Sequence, residues 1–211
     1  MVERLHGMQT KALLIIDVQN DFCPGGALAV PDGDAIIPVI NRISAHFNKV
    51  AATQDWHPEN HISFAARHML KEYEVIQLKE IEQVLWPVHC VPGTRGADFH
   101  RDLDTRPVDL IIRKGSNPEI DSYSAFFEND KKTVTGLHYY LQGLKIEKLY
   151  LCGLATDYCV YFSAIDARNL GFDVYFIIDA TRGIDFPADN IKKALQHMTE
   201  RGIHIITHDK L

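Results

Sequence analysis

The sequence predicts an α/β protein: a three-layer α/β/α domain built on a mostly parallel sheet of about six strands. Three observations lead there. Short, largely apolar runs recur along the chain, the pattern of strands covered on both faces. Between them lie stretches with apolar residues three and four apart, as on one face of a helix. The two kinds alternate from end to end with no repeat, low-complexity tract or linker, which predicts one domain over residues 1–211.

In chain order, Lys11–Ile16 is the first strand and ends at Asp17. Pro24, Gly25, Gly26, Pro31 and Gly33 make Asp21–Asp34 a long loop. From Asp34 to Phe47, a helix carries Ile36, Ile37, Ile40, Ile43 and Phe47 on one side. Lys49–Thr53 is a second strand, followed by Gln54-Asp55-Trp56-His57-Pro58. The stretch on to about Arg106 has no clear period. The region of about 55–106 is therefore expected to be a long loop with little regular structure, and such loops are usually functional. Leu110–Arg113 is a third strand, running into Lys114-Gly115. Val134–Leu141 is a helix closed by Gly143, and Lys148–Cys152 is a fourth strand. Tyr158–Leu170 is a helix stopped by Gly171, with Cys159 near its start. Asp173–Ile178 is a fifth strand, Ala188–Met198 a helix followed by Gly202, and Ile203–Thr207 a sixth strand.

Composition narrows the partners. The 22 basic and 28 acidic residues leave a net charge of −6 without a basic run, so nucleic acid is not an expected partner. No apolar run approaches the roughly 18 residues that span a bilayer, so no membrane is expected either. Met1–Thr10 is polar and carries no signal-peptide pattern. Cys23, Cys90, Cys152 and Cys159 lack C-x-x-C spacing. Free thiols and a cytoplasmic location are the expectation. No apolar interface stripe stands out, which leaves a monomer and a homo-oligomer both open.

Open parallel sheets place their sites beyond the carboxyl ends of the strands. Four strand ends deliver a reactive group there: Asp17, Asp55, Lys114 and, after the fourth strand, Cys159. A thiol at a helix start meets unpaired backbone N–H groups and the positive end of the helix dipole, which favour thiolate and can also hold an oxyanion. Taken alone, Cys159 is equally well a buried, inert thiol. With Asp17 as proton acceptor and Lys114 as neighbouring cation it becomes a candidate nucleophile, against the alternatives of a structural Asp–Lys pair or a Cys–His pair. Asp55 and His57, two apart in an extended segment, share a side, and with His89 offer one carboxylate and two imidazoles to a transition metal. His61 is a fourth ligand or a supporting hydrogen-bond partner. His6, His46, His68, His100, His138, His197, His204 and His208 are expected to be solvated surface residues.

These residues carry a resemblance. Ile16-Asp17-Val18-Gln19-Asn20-Asp21-Phe22, Gln54-Asp55-Trp56-His57-Pro58, Trp86-Pro87-Val88-His89-Cys90-Val91 and Gly153-Leu154-Ala155-Thr156-Asp157-Tyr158-Cys159-Val160 resemble the nicotinamidase branch of the isochorismatase-like cysteine hydrolases. The likeness runs from about Ala12 to Thr207. It implies catalytic Asp17, Lys114 and Cys159, and an oxyanion hole from the backbone N–H groups of Ala155 and Cys159, with a cis peptide between Leu154 and Ala155. It also implies one divalent transition metal (Zn, Mn or Fe) on Asp55, His57 and His89, and a ring pocket walled by Phe22, Trp86 and Tyr123. Tyr158, just before the nucleophile, gets no settled role. The implied reaction is hydrolysis of nicotinamide to nicotinate and ammonia through a cysteine thioester, in pyridine nucleotide salvage, with pyrazinamide as a side substrate. Another small-amide hydrolase of the same superfamily, an isochorismatase, or a non-catalytic metal- or ligand-binding module remain the alternatives. Isochorismatase-type relatives lack the Asp55/His57/His89 set.

Overall fold

Along the first strand, Leu13 and Ile15 point into one apolar cluster while Ala12, Leu14 and Ile16 point into another, and all five are buried. A strand with two greasy faces needs a cover on each side, and the chain supplies both. The computed structural model describes residues 10–78 and 80–211; His6 and the rest of the polar N-terminal stretch up to Gln9 lie outside the described residues. The strands are β1 (Lys11–Ile16), β2 (Val50–Asp55), β3 (Val75–Leu78), β4 (Ile81–Val84), β5 (Leu110–Lys114), β6 (Lys148–Leu154), β7 (Asp173–Arg182) and β8 (His204–Ile206). The helices are α1 (Ile37–Ser44), α2 (Ala65–His68, a single turn), α3 (Leu137–Gly143), α4 (Tyr161–Asn169) and α5 (Asn190–Glu200).

Six strands form one sheet in the order β5-β2-β1-β6-β7-β8, every neighbouring pair parallel. Ile37, Ile40 and Ile43 of α1 pack on Leu13 and Ile15. On the other face lie Leu137 and Leu141 of α3, Ala164 and Ala167 of α4, and Met198 of α5, against Leu14 and Ile16. That is the expected three-layer arrangement. The connections leave β1 toward β2 on one side and β6 toward β7 on the other, so the order reverses between β1 and β6. The crevice at the carboxyl ends of these two strands is the topological switch point, where such sheets bind ligands. The strands approach closely there: Gly153 of β6 sits at φ +116°, and a Cβ on it would overlap the backbone of Ile16.

Several boundaries differ from the sequence reading, each for a physical reason. The helix expected from Asp34 opens as a tight 3₁₀ turn over Gly33–Ile36, and α1 begins only at Ile37 with Pro38 in its first turn. The expected loop region of about 55–106 contains α2 and the antiparallel hairpin β3–β4. Its strands escape a periodicity test because β3 packs only lightly, with exposed and half-buried residues alternating. The helix expected from Tyr158 starts at Tyr161, behind a wide π-type turn over Thr156–Val160. Cys159 therefore sits in that turn and not at the first turn of an α-helix. Several histidines assigned to the surface are half-buried with partners. His197 Nδ1 lies 2.8 Å from the Tyr161 hydroxyl, and His208 Nδ1 lies 2.6 Å from Asp179 Oδ2.

Candidate active site

β1 ends by turning Asp17 into a left-handed conformation, φ 50°, which aims its carboxylate into the crevice. Thr53 on neighbouring β2 fixes it there: the Thr53 hydroxyl donates to Asp17 Oδ1 at 2.6 Å and accepts from the Asp17 backbone N–H at 3.2 Å. Lys114 is the last residue of β5 and is fully enclosed. Its ammonium has three protons, and it donates to Asp55 Oδ1 at 2.5 Å, the Ser122 carbonyl at 2.9 Å and Cys159 Sγ at 3.4 Å. Asp17 Oδ2 lies only 2.9 Å from the same ammonium yet accepts no directed hydrogen bond. The Lys114 charge stabilises this oxygen while its lone pair stays open. Asp17, Asp55 and Cys159 bring their carboxylate oxygens and sulfur within 4.8 Å of one another.

Burial and charge set the protonation states. Burial pushes Asp17 up and Lys114 pulls it back; with Asp55 also raising it, the net direction is upward. Burial also pushes up the Cys159 thiol; Lys114 pulls it back and Asp17 and Asp55 raise it further, so it stands well above its ordinary range. This corrects the expectation of a helix-activated thiolate. The resting group is a thiol facing a carboxylate of raised basicity, a pair suited to proton transfer. Asp55 goes the other way: despite burial, Lys114 and His57 hold it well below the usual carboxylate range.

Asp55 joins this half of the site to a second. While Oδ1 receives Lys114, Oδ2 lies 3.3 Å from His57 Nε2 and 3.6 Å from His89 Nε2. The other ring nitrogens are committed: His57 Nδ1 donates to the Gly115 carbonyl at 2.9 Å and His89 Nδ1 to the Pro87 carbonyl at 2.8 Å. With Nδ1 as the donor in each ring, the neutral, metal-binding form of each presents its lone pair at Nε2. Two imidazole lone pairs and a carboxylate oxygen then face one another in a buried space, an arrangement that suits a metal cation. The residues present fit one divalent ion. Gly115, at φ +68°, is required beside them, since a Cβ would overlap the His57 ring. His61 belongs elsewhere. It stacks on His57 with centroids 4.0 Å apart, and its Nδ1 and Nε2 lie 2.7 Å from Ser63 Oγ and 3.2 Å from the Ile120 carbonyl. Burial and His57 push it down to about 4, so it is neutral. Nε2 is then the donor to Ile120, and Nδ1 accepts from Ser63.

A narrow pocket lies over these groups. Phe22, Trp86 and Tyr123 line it, and Leu28, Tyr158 and Ile184 complete its apolar wall. Trp86 Nε1 donates to the Tyr123 hydroxyl at 3.1 Å, and Tyr158 meets Trp86 edge-on at 4.8 Å. Two wider grooves, about 430 and 390 Å³, flank it and share Tyr158 and Asp121 with it, but Cys159, Asp55, His57 and His89 all line the narrow pocket. The peptide between Leu154 and Ala155 is cis. Beyond it, Tyr158 N–H and Val160 N–H both go to the Ala155 carbonyl at 3.1 Å, and Ala155 N–H has no protein acceptor among the described residues.

Sequence reasoning missed four contributors. Gln19 clamps the Asp55 backbone, accepting from its N–H at 2.8 Å and donating to its carbonyl at 2.9 Å. Thr53 holds Asp17, and Tyr158 walls the pocket. Asp121 lines the pocket beside His57. Gln19 and Tyr158 lie inside the quoted strings; Thr53 and Asp121 carried no local signal.

Comparison with known proteins identifies the family. The Isochorismatase domain family matches residues 11–210. A nicotinamidase of Acinetobacter baylyi is 49% identical over 197 residues, covering 93% of this chain and 92% of the relative. The solved nicotinamidase/pyrazinamidase of Acinetobacter baumanii superposes with a TM-score of 0.94 at 49% identity, over 96% of this chain and 98% of the other. PnC1 from L. infantum, solved in complex with nicotinate, gives a TM-score of 0.84 at 37% identity over 95% and 94%. The pyrazinamidase of Pyrococcus horikoshii, solved in complex with zinc, gives 0.77 at 40% over 93% and 98%. No helix among the described residues is long and apolar enough to cross a membrane.

Proposed function

The chain belongs to the isochorismatase domain family, and on that premise we propose that it is a metal-dependent amidohydrolase converting nicotinamide and water to nicotinate and ammonia. The observation that carries this reading is the open lone pair of Asp17 Oδ2 beside Cys159, held ready by Lys114. Asp17 takes the thiol proton as Cys159 Sγ attacks the carboxamide carbon. The carbonyl oxygen becomes an oxyanion held by the N–H groups of Ala155 and Cys159. Asp17 then returns the proton to the amide nitrogen, ammonia leaves, and a thioester remains. Water attacks the thioester, Asp17 accepts its proton, and the acid departs as the sulfur is released and reprotonated. Lys114 offsets the negative charge that moves between Asp17 and Cys159.

Asp55, His57 and His89 would hold a Zn, Mn or Fe ion. Once bound, the ion supplies a Lewis-acid contact for the pyridine nitrogen and so orients the ring. Phe22, Trp86 and Tyr123 clasp the ring faces. Pyrazinamide, with the same shape and a ring nitrogen in the same place, is a side substrate. The product, nicotinate, would feed pyridine nucleotide salvage, and a cytoplasmic location is part of this proposal. An isochorismatase activity is disfavoured, because it makes no use of the Asp55/His57/His89 set. The test is ammonia release from nicotinamide by purified protein loaded with Zn, Mn or Fe in turn. Stoichiometric nicotinate and ammonia are expected; none from any loaded form would contradict the proposal.

A further inference from the structure

Asp121 lines the pocket next to His57, is only 4% exposed, and has no lysine or arginine partner among the described residues; its ion-pair contact is the His57 ring, 3.9 Å away. A buried carboxylate without a counter-charge is costly, and such groups are normally paired or lie beside a metal. Its oxygens are precisely held by neutral donors: the Ser122 N–H reaches Oδ1 at 2.8 Å and Gln83 Nε2 reaches Oδ2 at 2.7 Å. Oδ1 stands 3.9 Å from His57 Nε2, the nitrogen whose lone pair faces the metal space. Asp121, His57 and His61 also form a cluster with ligand atoms within 4.8 Å. It is not a second metal site, because both His61 nitrogens are engaged by Ser63 and Ile120.

Asp55 and Asp121 are both buried close to His57 Nε2, at 3.3 and 3.9 Å, while the buried ammonium of Lys114 bonds Asp55. Glu128, another buried acid, does not line the pocket.

We propose that Asp121 is part of the metal centre: an outer carboxylate that binds the divalent cation through water and balances its charge, held in place by Gln83 from the β3–β4 hairpin. The inference rests on the reading of Asp55, His57 and His89 as metal ligands. Its role is to raise affinity for the ion, while the three inner residues set where the ion sits. Outer partners of this kind change metal affinity about 10–100-fold when removed.

The experiment is titration of metal-free protein with Zn²⁺ and with Mn²⁺ by calorimetry. Wild type is expected to bind one ion per chain. Asp121→Asn should still bind one ion, about 10–100-fold more weakly. Gln83→Leu, which leaves the carboxylate in place but removes its donor, should lose less. Asp55→Asn should abolish binding. Asp121→Asn and Gln83→Leu both binding as tightly as wild type, with wild type at one ion per chain, would overturn the role of Asp121 alone. Wild type binding no ion would overturn the ligand reading beneath it. If Asp121→Asn does not fold, the outcome rests on Gln83→Leu: weaker binding supports the role and unchanged affinity refutes it.

Discussion

The two halves of the crevice share Asp55 but are built on different principles. On the Lys114 side, the parts stand at adjacent strand ends and almost every polar atom is matched: three ammonium protons have three acceptors, and Asp17 Oδ1 has Thr53. One lone pair is left, next to the thiol. On the histidine side the parts come from loops, and what is left over is larger: two imidazole lone pairs and a buried carboxylate, Asp121, that meets no lysine or arginine among the described residues. A closed, nearly satisfied cluster suits bond making, where the only moving part is a proton. An open, electron-rich cluster suits a cation. On the proposed reading, the contrast lets one small pocket perform covalent chemistry while orienting a ring.

Changes that separate the halves should have distinct signatures. The largest effect is expected from Cys159→Ala: turnover should fall by about 10⁴-fold or more, as for other removed nucleophiles, while metal content stays at wild-type level. Ammonia assays and metal analysis on the same sample check both. Asp17→Asn should come next, with a loss of about 10²–10⁴-fold, the usual range for a general acid–base. The same residue sets a pH limit. Because Asp17 is raised, its basic form is lost as pH falls through a value above the ordinary aspartate range, so kcat/KM should decline on the acid side there. The thiol is raised too, so its ionisation adds no limb below about pH 9. A kcat/KM profile with no acid limb would remove Asp17 as base.

His89→Ala addresses the other half. It should lose bound metal and raise KM for nicotinamide, with slow alkylation of Cys159 by iodoacetamide unchanged from wild type; unchanged metal content would refute the ligand assignment. Tyr158→Phe should have the smallest effect. It breaks one hydrogen bond, from the Tyr158 hydroxyl to the Phe186 carbonyl at 2.6 Å, worth about 0.5–1.5 kcal/mol. A KM rise of a few-fold with kcat nearly constant is expected from steady-state kinetics.

Much of this was legible in the sequence, unevenly. The six strands announce themselves because both faces of each central strand are apolar, and their ends place Asp17, Asp55, Lys114 and Cys159 in one crevice by topology alone. The hairpin β3–β4 does not announce itself, since its residues alternate only between exposed and half-buried. Asp121 is invisible because its meaning comes from His57, 64 positions earlier in sequence and 3.9 Å away in space. The state of the Cys159 thiol was misread for a related reason. A local dipole argument sees the turn, but burial, the largest cause, together with charges from other strands decides the outcome.

The central claim is that the histidine half orients a ring nitrogen while the Lys114 half performs the chemistry. Ammonia release from nicotinamide and from benzamide, which lacks that nitrogen, tests it most directly when measured before and after the ion is stripped. Loaded protein should prefer nicotinamide by about 10²-fold or more in kcat/KM. Stripping should bring nicotinamide down to the level of benzamide and leave benzamide unchanged. Equal rates on the two amides by loaded protein, or a nicotinamide rate indifferent to stripping, would contradict the account.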